Sequence, residues 1–184
     1  MANDPTVWGV HMGAHVGDRP IDGSYVGIGW DKMGDLKRIA PNREAFKAAL
    51  AVAYPYKKAG AIPVDAGSMF KFLHQIKSGD IVVYPSKSDR MVNIGRFRDA
   101  VEYVADDRDE YPTHRHVDWL GHFPRNEFSQ SALNEIGSFL TMFRVKRHVN
   151  EFLAKVDMRI ALPSVAISEV QAESLEDPTD DDAA

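Results

Sequence analysis

Residues Gly79 to Asp99 have the sequence GDIVVYPSKSDRMVNIGRFRD, and this stretch predicts a β-hairpin. Ile81 to Tyr84 is a β-branched run that ends in an aromatic ring, and Met91 to Phe97 is a second apolar run with one glycine. A charged turn, Ser86 to Arg90, lies between them. Such a hairpin brings an aromatic ring, small hydroxyls and cations to one end of a sheet. Those groups can hold a planar base beside a phosphate backbone.

The segments on either side of the hairpin predict an α+β domain. Apolar runs predict further strands at Val7–Met12, Tyr25–Trp30, His114–Phe123 and Thr141–Val145. Apolar residues at helical spacing predict helices at 41–53, 66–77, 130–137 and 146–156, with Asp65 and Ser129 as N-caps of the second and third. Because most strands follow one another as hairpins, we expect a curved, mainly antiparallel sheet closed as a small β-barrel with flanking helices.

Composition is that of a globular protein and predicts no membrane span. Of the 184 residues 44% are hydrophobic, and the mean hydropathy is −0.32. The apolar runs are far shorter than the ~18 residues of a membrane-spanning helix, and the N-terminal sequence MANDPTVWGV does not resemble a signal peptide. The absence of cysteine excludes disulfides, thiolate catalysis and cysteine-based zinc sites. It fits a cytoplasmic location.

Charge divides the chain into a domain at 1–157 and an acidic segment at 158–184. Seven of the 27 acidic residues and one of the 22 basic residues follow Met158. Residues 1–157 therefore carry 20 acidic and 21 basic residues. Such a near-neutral domain can bind nucleic acid only where its cations cluster. The acidic segment is typical of a disordered linker to a further domain, or of a solubilising C-terminus.

Aromatic residues at or near the ends of predicted strands are candidates for a base-binding pocket. Stacking on an aromatic ring contributes ~1–3 kcal/mol per base, and polar side chains can bind the edge of the base. The candidate rings are Trp8, Trp30, Tyr84 and Trp119, with Asp31, Ser86 and Asn93 as edge partners. For each tryptophan the alternative is a place in the core, which is common in small β domains.

Cations of the hairpin are candidates for contacts with a nucleic-acid backbone. They are Lys87, Arg90, Arg96 and Arg98. Arg96 and Arg98 are two residues apart and therefore share one face of a strand. Asp89 and Asp99 dilute the cluster, so an ordinary solvated hairpin with surface ion pairs is the alternative.

Catalytic and metal-binding motifs find no support in the sequence. His114 and His116 would share a strand face with Asp118, but no known zinc spacing accompanies them. The chain has no G-x-S-x-G motif, no phosphate-binding loop and no dinucleotide fingerprint, because Lys32 stands where the third glycine is needed. We therefore predict no catalytic residue, no metal and no cofactor.

Three segments together resemble a known family. They are SYVGIGWDKMGDL at 24–36, AGSMFKFLHQIKSGDIVVYPSKSDRMVNIGRF at 66–97 and DWLGHFPRNEFSQSALNEIGS at 118–138. The pair Gly79-Asp80, the strand end at Tyr84 and the glycine at Gly95 are similar to the EVE-like branch of the PUA-like superfamily. The whole pattern resembles the N-terminal domains of Mrr-type modification-dependent restriction endonucleases.

That resemblance implies a barrel that binds a flipped, modified base of double-stranded DNA in an aromatic pocket. The modified base would be 5-methylcytosine, 5-hydroxymethylcytosine or N6-methyladenine, and a C-terminal nuclease domain in the same polypeptide would cut. This chain would then be the specificity domain of a type IV restriction enzyme, not an enzyme itself. Two alternatives stay open: an RNA-binding PUA-like module, and a small-molecule or interaction domain that does not bind nucleic acid.

Overall fold

The computed structural model describes residues 4–156. One sheet contains the strands β1 (Val7–Val10), β2 (Tyr25–Ile28), β3 (Ile81–Pro85), β4 (Val92–Tyr103), β5 (Thr113–Phe123) and β6 (Met142–Arg144). Their order across the sheet is β2-β5-β4-β3-β1-β6. β1 and β3 run parallel, and all other neighbours run antiparallel. The sheet is therefore mixed.

Helices cover both faces of this sheet. They are α1 (Arg19–Asp22), α2 (Arg43–Ala53), α3 (Ala61–Phe70), α4 (Gln130–Ile136) and α5 (149–156). A π-helical turn at Lys71–Gln75 continues α3, and short 3-10 turns lie at Ala14–Val16, Asp31–Met33, Leu36–Arg38 and Arg125–Glu127. Among the helices of residues 4–156, none combines the length and the apolar composition that crossing a membrane requires.

The central strand β3 explains why the domain has two cores. Its residues alternate between them: Val82 and Tyr84 belong to one core, and Ile81 and Val83 to the other. α2 and α3 contribute to the first core, and α4 and α5 to the second. Burial on both faces accounts for the unbroken apolar run in the sequence of this strand.

The predicted α+β class is confirmed, but the predicted closed barrel is wrong. The sheet ends at β2 and β6 and does not close. Phe46 of α2 and Met69 of α3 lie in the same core as Val10 of β1 and Val26 of β2. Helix side chains therefore fill the space that strand pairing would bridge in a closed barrel.

The helix predicted at 66–77 begins earlier than the sequence suggests. α3 starts at Ala61 with Gly60 at its N-cap, so Asp65 lies inside the helix and does not cap it. Pro63 is accommodated in the first turn, where a backbone N–H has no helical partner to lose. Ser129 caps α4 as predicted, since its side chain accepts the N–H of Ala132. The predicted acidic segment at 158–184 lies outside the described residues.

A buried carboxylate joins β1 to β3. Asp80 is 7% exposed and accepts three hydrogen bonds: from the Trp8 indole Nε1 at 2.9 Å, the Lys77 N–H at 2.9 Å and the Thr6 N–H at 3.2 Å. Hydrogen bonds to a charged group contribute about 1.5–3 kcal/mol, and a buried donor left without a partner is costly. Asp80 therefore fixes the start of the parallel pair.

Replacing Asp80 by alanine should lower the free energy of unfolding by about 3 kcal/mol, because the buried Trp8 indole and two partly buried backbone N–H groups lose their acceptor. Urea denaturation measures this change. Asp106→Ala is the matched control, since Asp106 is exposed and makes no hydrogen bond within residues 4–156. A loss for Asp80→Ala no larger than that of the control would show that Asp80 does not stabilise the fold.

Candidate functional site

A cavity of about 280 Å³ lies where the chain leaves β1 and β2 and meets the loop between β4 and β5. It combines aromatic rings with carboxylates. The residues that line it are His11, His15, Gly29, Trp30, Asp31, Asp109, Glu110, Tyr111 and Thr141. Because these residues come from four separate segments of the chain, only folding brings them together.

Trp30 contributes its ring to the cavity from a rare backbone conformation. Its φ of 63° and ψ of 50° lie in the left-handed region, which residues other than glycine seldom adopt. Its indole Nε1 donates to Asp65 Oδ2 at 3.4 Å, and Lys57 Nζ lies 2.5 Å from the same oxygen. The carboxylate of α3 that the sequence suggested as a helix cap therefore positions this tryptophan.

The loop at 104–112 is anchored by a buried carboxylate at the cavity. The side chain of Asp109 is 4% exposed and accepts hydrogen bonds from Arg19, at 2.6 Å from Nε and 2.5 Å from the terminal nitrogen. This guanidinium holds the pKa of Asp109 below its usual value. Asp109 is therefore ionised at neutral pH, and its charge is matched by Arg19.

Two neighbours of Asp109 complete this side of the cavity. Glu110 is exposed and has a φ of 61°, so it shares the left-handed conformation of Trp30. The Tyr111 hydroxyl accepts the N–H of Gly13 at 2.8 Å, and its ring stacks on His15 with centroids 5.8 Å apart. The loop thus offers a free carboxylate beside a fixed aromatic pair.

His11 follows β1 and brings an imidazole to the cavity. Its ring stacks on Phe143 with centroids 5.5 Å apart. Burial lowers its pKa, the charge of Lys87 lowers it further, and a hydrogen bond with the Ile136 backbone opposes both. The imidazole is therefore neutral at pH 7, and its Nε2 has no hydrogen-bond partner within residues 4–156.

Residues 8–146 match the family model of a domain of unknown function, DUF8426. The chain belongs to this family. The matched range contains every residue that lines the cavity and all of the sheet except the first residue of β1. No curated protein matches the chain.

In this DUF8426 domain the cavity contains two of the seven pocket residues that the sequence suggests, Trp30 and Asp31. The Asp31 carboxylate is exposed and accepts a hydrogen bond from the Tyr54 hydroxyl at 3.3 Å. The other five do not line this cavity: Trp8, Tyr84, Ser86, Asn93 and Trp119. Trp30 and Tyr84 therefore do not face each other across this cavity.

Burial explains where those five residues lie instead. Tyr84 is 1% exposed on the inner face of β3, and Trp8 is held in the core by Asp80. The amide of Asn93 donates to the Tyr84 carbonyl at 2.9 Å and to Ser86 Oγ at 3.0 Å, which ties the hairpin end together. Trp119 is half-buried, and its indole donates to a backbone carbonyl, that of Pro20, at 3.1 Å.

The four hairpin cations are all exposed, as contacts with the phosphates of a nucleic acid would require. Arg98 is paired with Asp118 on β5. Lys87, Arg90 and Arg96 form no ion pair with an acidic side chain of residues 4–156. β1 and β3 are parallel neighbours, so the hairpin turn after β3 and His11 after β1 lie at the same end of the sheet. The charge of Lys87 accordingly contributes to the lowered pKa of His11.

The histidines of β5 have partners other than a metal. His114 stacks on Tyr25 with centroids 3.9 Å apart, and His116 lies 3.2 Å from Glu102. His122 Nδ1 lies 2.7 Å from Asn93 Oδ1. Within residues 4–156, no three His, Asp or Glu side chains are grouped so that they could hold a metal ion.

Sequence reasoning missed the part of the cavity that loops contribute. No motif in the sequence marks the loop at 106–112 or the pair His11 and His15 as part of a site. The one available signal was an aromatic residue, Tyr111, inside an otherwise polar stretch.

Replacing Lys87 by alanine should raise the pKa of His11 toward its ordinary value, because a nearby positive charge is removed. An NMR titration of the His11 ring protons measures this shift. Arg90→Ala is the matched control, since Arg90 does not contribute to the lowered pKa. Equal shifts in both variants, or none in either, would contradict the placement of Lys87 beside the cavity.

Proposed function

We propose that this domain is a DNA-binding specificity module that takes a modified base, flipped out of a duplex, into the cavity beside Trp30. The observation that carries this proposal is local backbone strain. Four residues other than glycine have a positive φ within residues 4–156, and two of them, Trp30 and Glu110, line this one cavity. Such conformations cost about 1–3 kcal/mol each and cluster at ligand sites.

The size of the cavity favours a ligand about as large as one base. Sites for drug-sized molecules occupy about 300–1,000 Å³, and this cavity is just below that range. A flipped base is flat, and it would stack on an aromatic wall such as Trp30 or Tyr111. Stacking then offsets the few kcal/mol that unpairing the base costs.

The polar groups of the cavity favour a base with an amino group. Asp31 and Glu110 are exposed carboxylates without an ion-pair partner in residues 4–156. Carboxylates accept hydrogen bonds from the amino group of cytosine, and adenine also carries an amino group. Both carboxylates therefore suit 5-methylcytosine, 5-hydroxymethylcytosine or N6-methyladenine.

Recognition of an added methyl group requires a cavity surface that fits closely around it. One buried CH₂-sized group contributes only ~0.8 kcal/mol, or about fourfold in affinity. Larger discrimination needs a rigid surface that excludes water around the methyl group. The hydrogen bond between Trp30 and Asp65 supplies that rigidity.

We also infer a relationship to the PUA-like superfamily, with an open sheet in place of a closed barrel, and a role in type IV restriction. The resemblance at 24–36, 66–97 and 118–138 supports both. The shifts of register between β4 and β5, at Ile94/Gly95 and at Phe97/Val101, support the first, because they allow two long strands to curve. In that setting the domain works in the cytoplasm and directs a nuclease domain of the same polypeptide to modified DNA.

Trp30→Ala should lower the preference for modified DNA about tenfold while leaving the affinity for plain DNA unchanged, because stacking contributes ~1–3 kcal/mol per base. Fluorescence anisotropy measures this with a 20-bp duplex that carries 5-methylcytosine, 5-hydroxymethylcytosine, N6-methyladenine or no modification. Trp30→Phe keeps a ring and should retain most of the preference. Tyr56→Ala is the control, since Tyr56 is 99% exposed and does not line the cavity.

Equal affinity of the unaltered protein for modified and plain duplexes would refute the proposal. Tighter binding to the matching RNA would support the RNA-binding alternative. Absence of any salt-dependent affinity for nucleic acid would leave a small-molecule or interaction domain. Thermal unfolding of each variant separates loss of recognition from loss of fold.

A further inference from the structure

Three cations form a basic patch beside β6: Arg144, Lys146 and Arg147. They line a second cavity of about 400 Å³ next to α4. Their charge extends beyond the cavity: burial lowers the pKa of Lys71, and the charges of Arg43 and Lys146 lower it further.

The basic patch is not neutralised by the part of the domain that the structure describes. None of its three cations forms an ion pair with an acidic side chain of residues 4–156. All three are exposed. Like charges held close together repel one another, and a bound anion would relieve that repulsion.

Glu135 orients the patch without neutralising its side chains. Its carboxylate accepts the backbone N–H groups of Lys146 and Arg147, both at 2.9 Å, and lies 3.2 Å from His148 Nδ1. These hydrogen bonds outweigh the effect of burial and lower the pKa of Glu135. The turn after β6 is therefore held by its backbone, and the long side chains are left to contact a ligand.

We propose that the basic patch is a second DNA contact, which binds phosphates of the duplex a few base pairs from the flipped base. This inference rests on the proposed function for the DNA, but it assigns a separate site with a separate role. Phosphate contacts of this kind set affinity and register, whereas the cavity sets specificity.

The spacing along β6 fits this arrangement. Thr141 lines the base cavity, and Arg144 of the basic patch follows three residues later. At about 3.3 Å per residue the two positions are about 10 Å apart along the strand. Successive phosphates of one DNA strand advance about 3.4 Å along the helix axis, so a duplex lying along β6 would bring phosphates about three base pairs from the flipped base to the patch.

A double variant, Arg144→Ala with Lys146→Ala, tests the patch in the full chain. Both alanines keep the backbone N–H groups, including the one that Glu135 binds. The matched control is Lys58→Ala with Arg125→Ala, which removes one lysine and one arginine outside the patch. Affinity is measured from 50 to 200 mM salt (roughly the range where phosphate contacts dominate) for a plain 20-bp duplex and for its 5-methylcytosine, 5-hydroxymethylcytosine and N6-methyladenine counterparts.

The patch variant should bind all the duplexes about tenfold more weakly, and its log–log salt slope should fall by about two, with the preference among duplexes unchanged. The control should match the unaltered protein. Equal losses in both variants, or no loss in the patch variant, would overturn the phosphate site. A protein that shows no preference among duplexes but still loses affinity in the patch variant would refute the proposed function and uphold this site.

Discussion

The buried Asp80 carboxylate is the constraint on which the arrangement of this domain depends. It fixes where β1 starts against β3, and because these strands run parallel, both leave the sheet at the same end. His11 follows one strand and the hairpin turn follows the other. An acceptor at the start of the two strands therefore determines which groups meet at their far end, where the cavity beside Trp30 opens.

At that cavity, contacts with neighbouring residues hold two residues in a strained backbone conformation. Trp30 and Glu110 adopt a backbone conformation that costs free energy, and neither is a residue that adopts it easily. Neighbouring contacts support them: the Trp30 indole donates a long hydrogen bond to Asp65, and Arg19 binds Asp109, next to Glu110, through two short ones.

Local patterns account for what could be predicted from the sequence. The hairpin at 79–99 and the cap at Ser129 depend on residues that are near one another in the chain, and both predictions match the structure. The cavity depends on four distant segments, and no turn residue marks the left-handed positions at Trp30 and Glu110. Proline usually disfavours a helix, so Pro63 gave no indication that α3 starts at Ala61. The contact of Asp65 with Trp30 was therefore not predicted either. Trp30 follows a strand and lines the cavity, whereas Tyr84, also near a strand end, is fully buried.

The open sheet leaves two edge strands, and their lengths bear on how the protein behaves in a crowded solution. β2 has four residues and β6 has three, so each edge offers only a short row of unpaired backbone groups. Arg144 adds a charge on the β6 edge. Short, charged edges discourage a strand of another molecule from adding to a sheet. The sheet can therefore remain open next to the cavity without exposing a strand edge that favours aggregation.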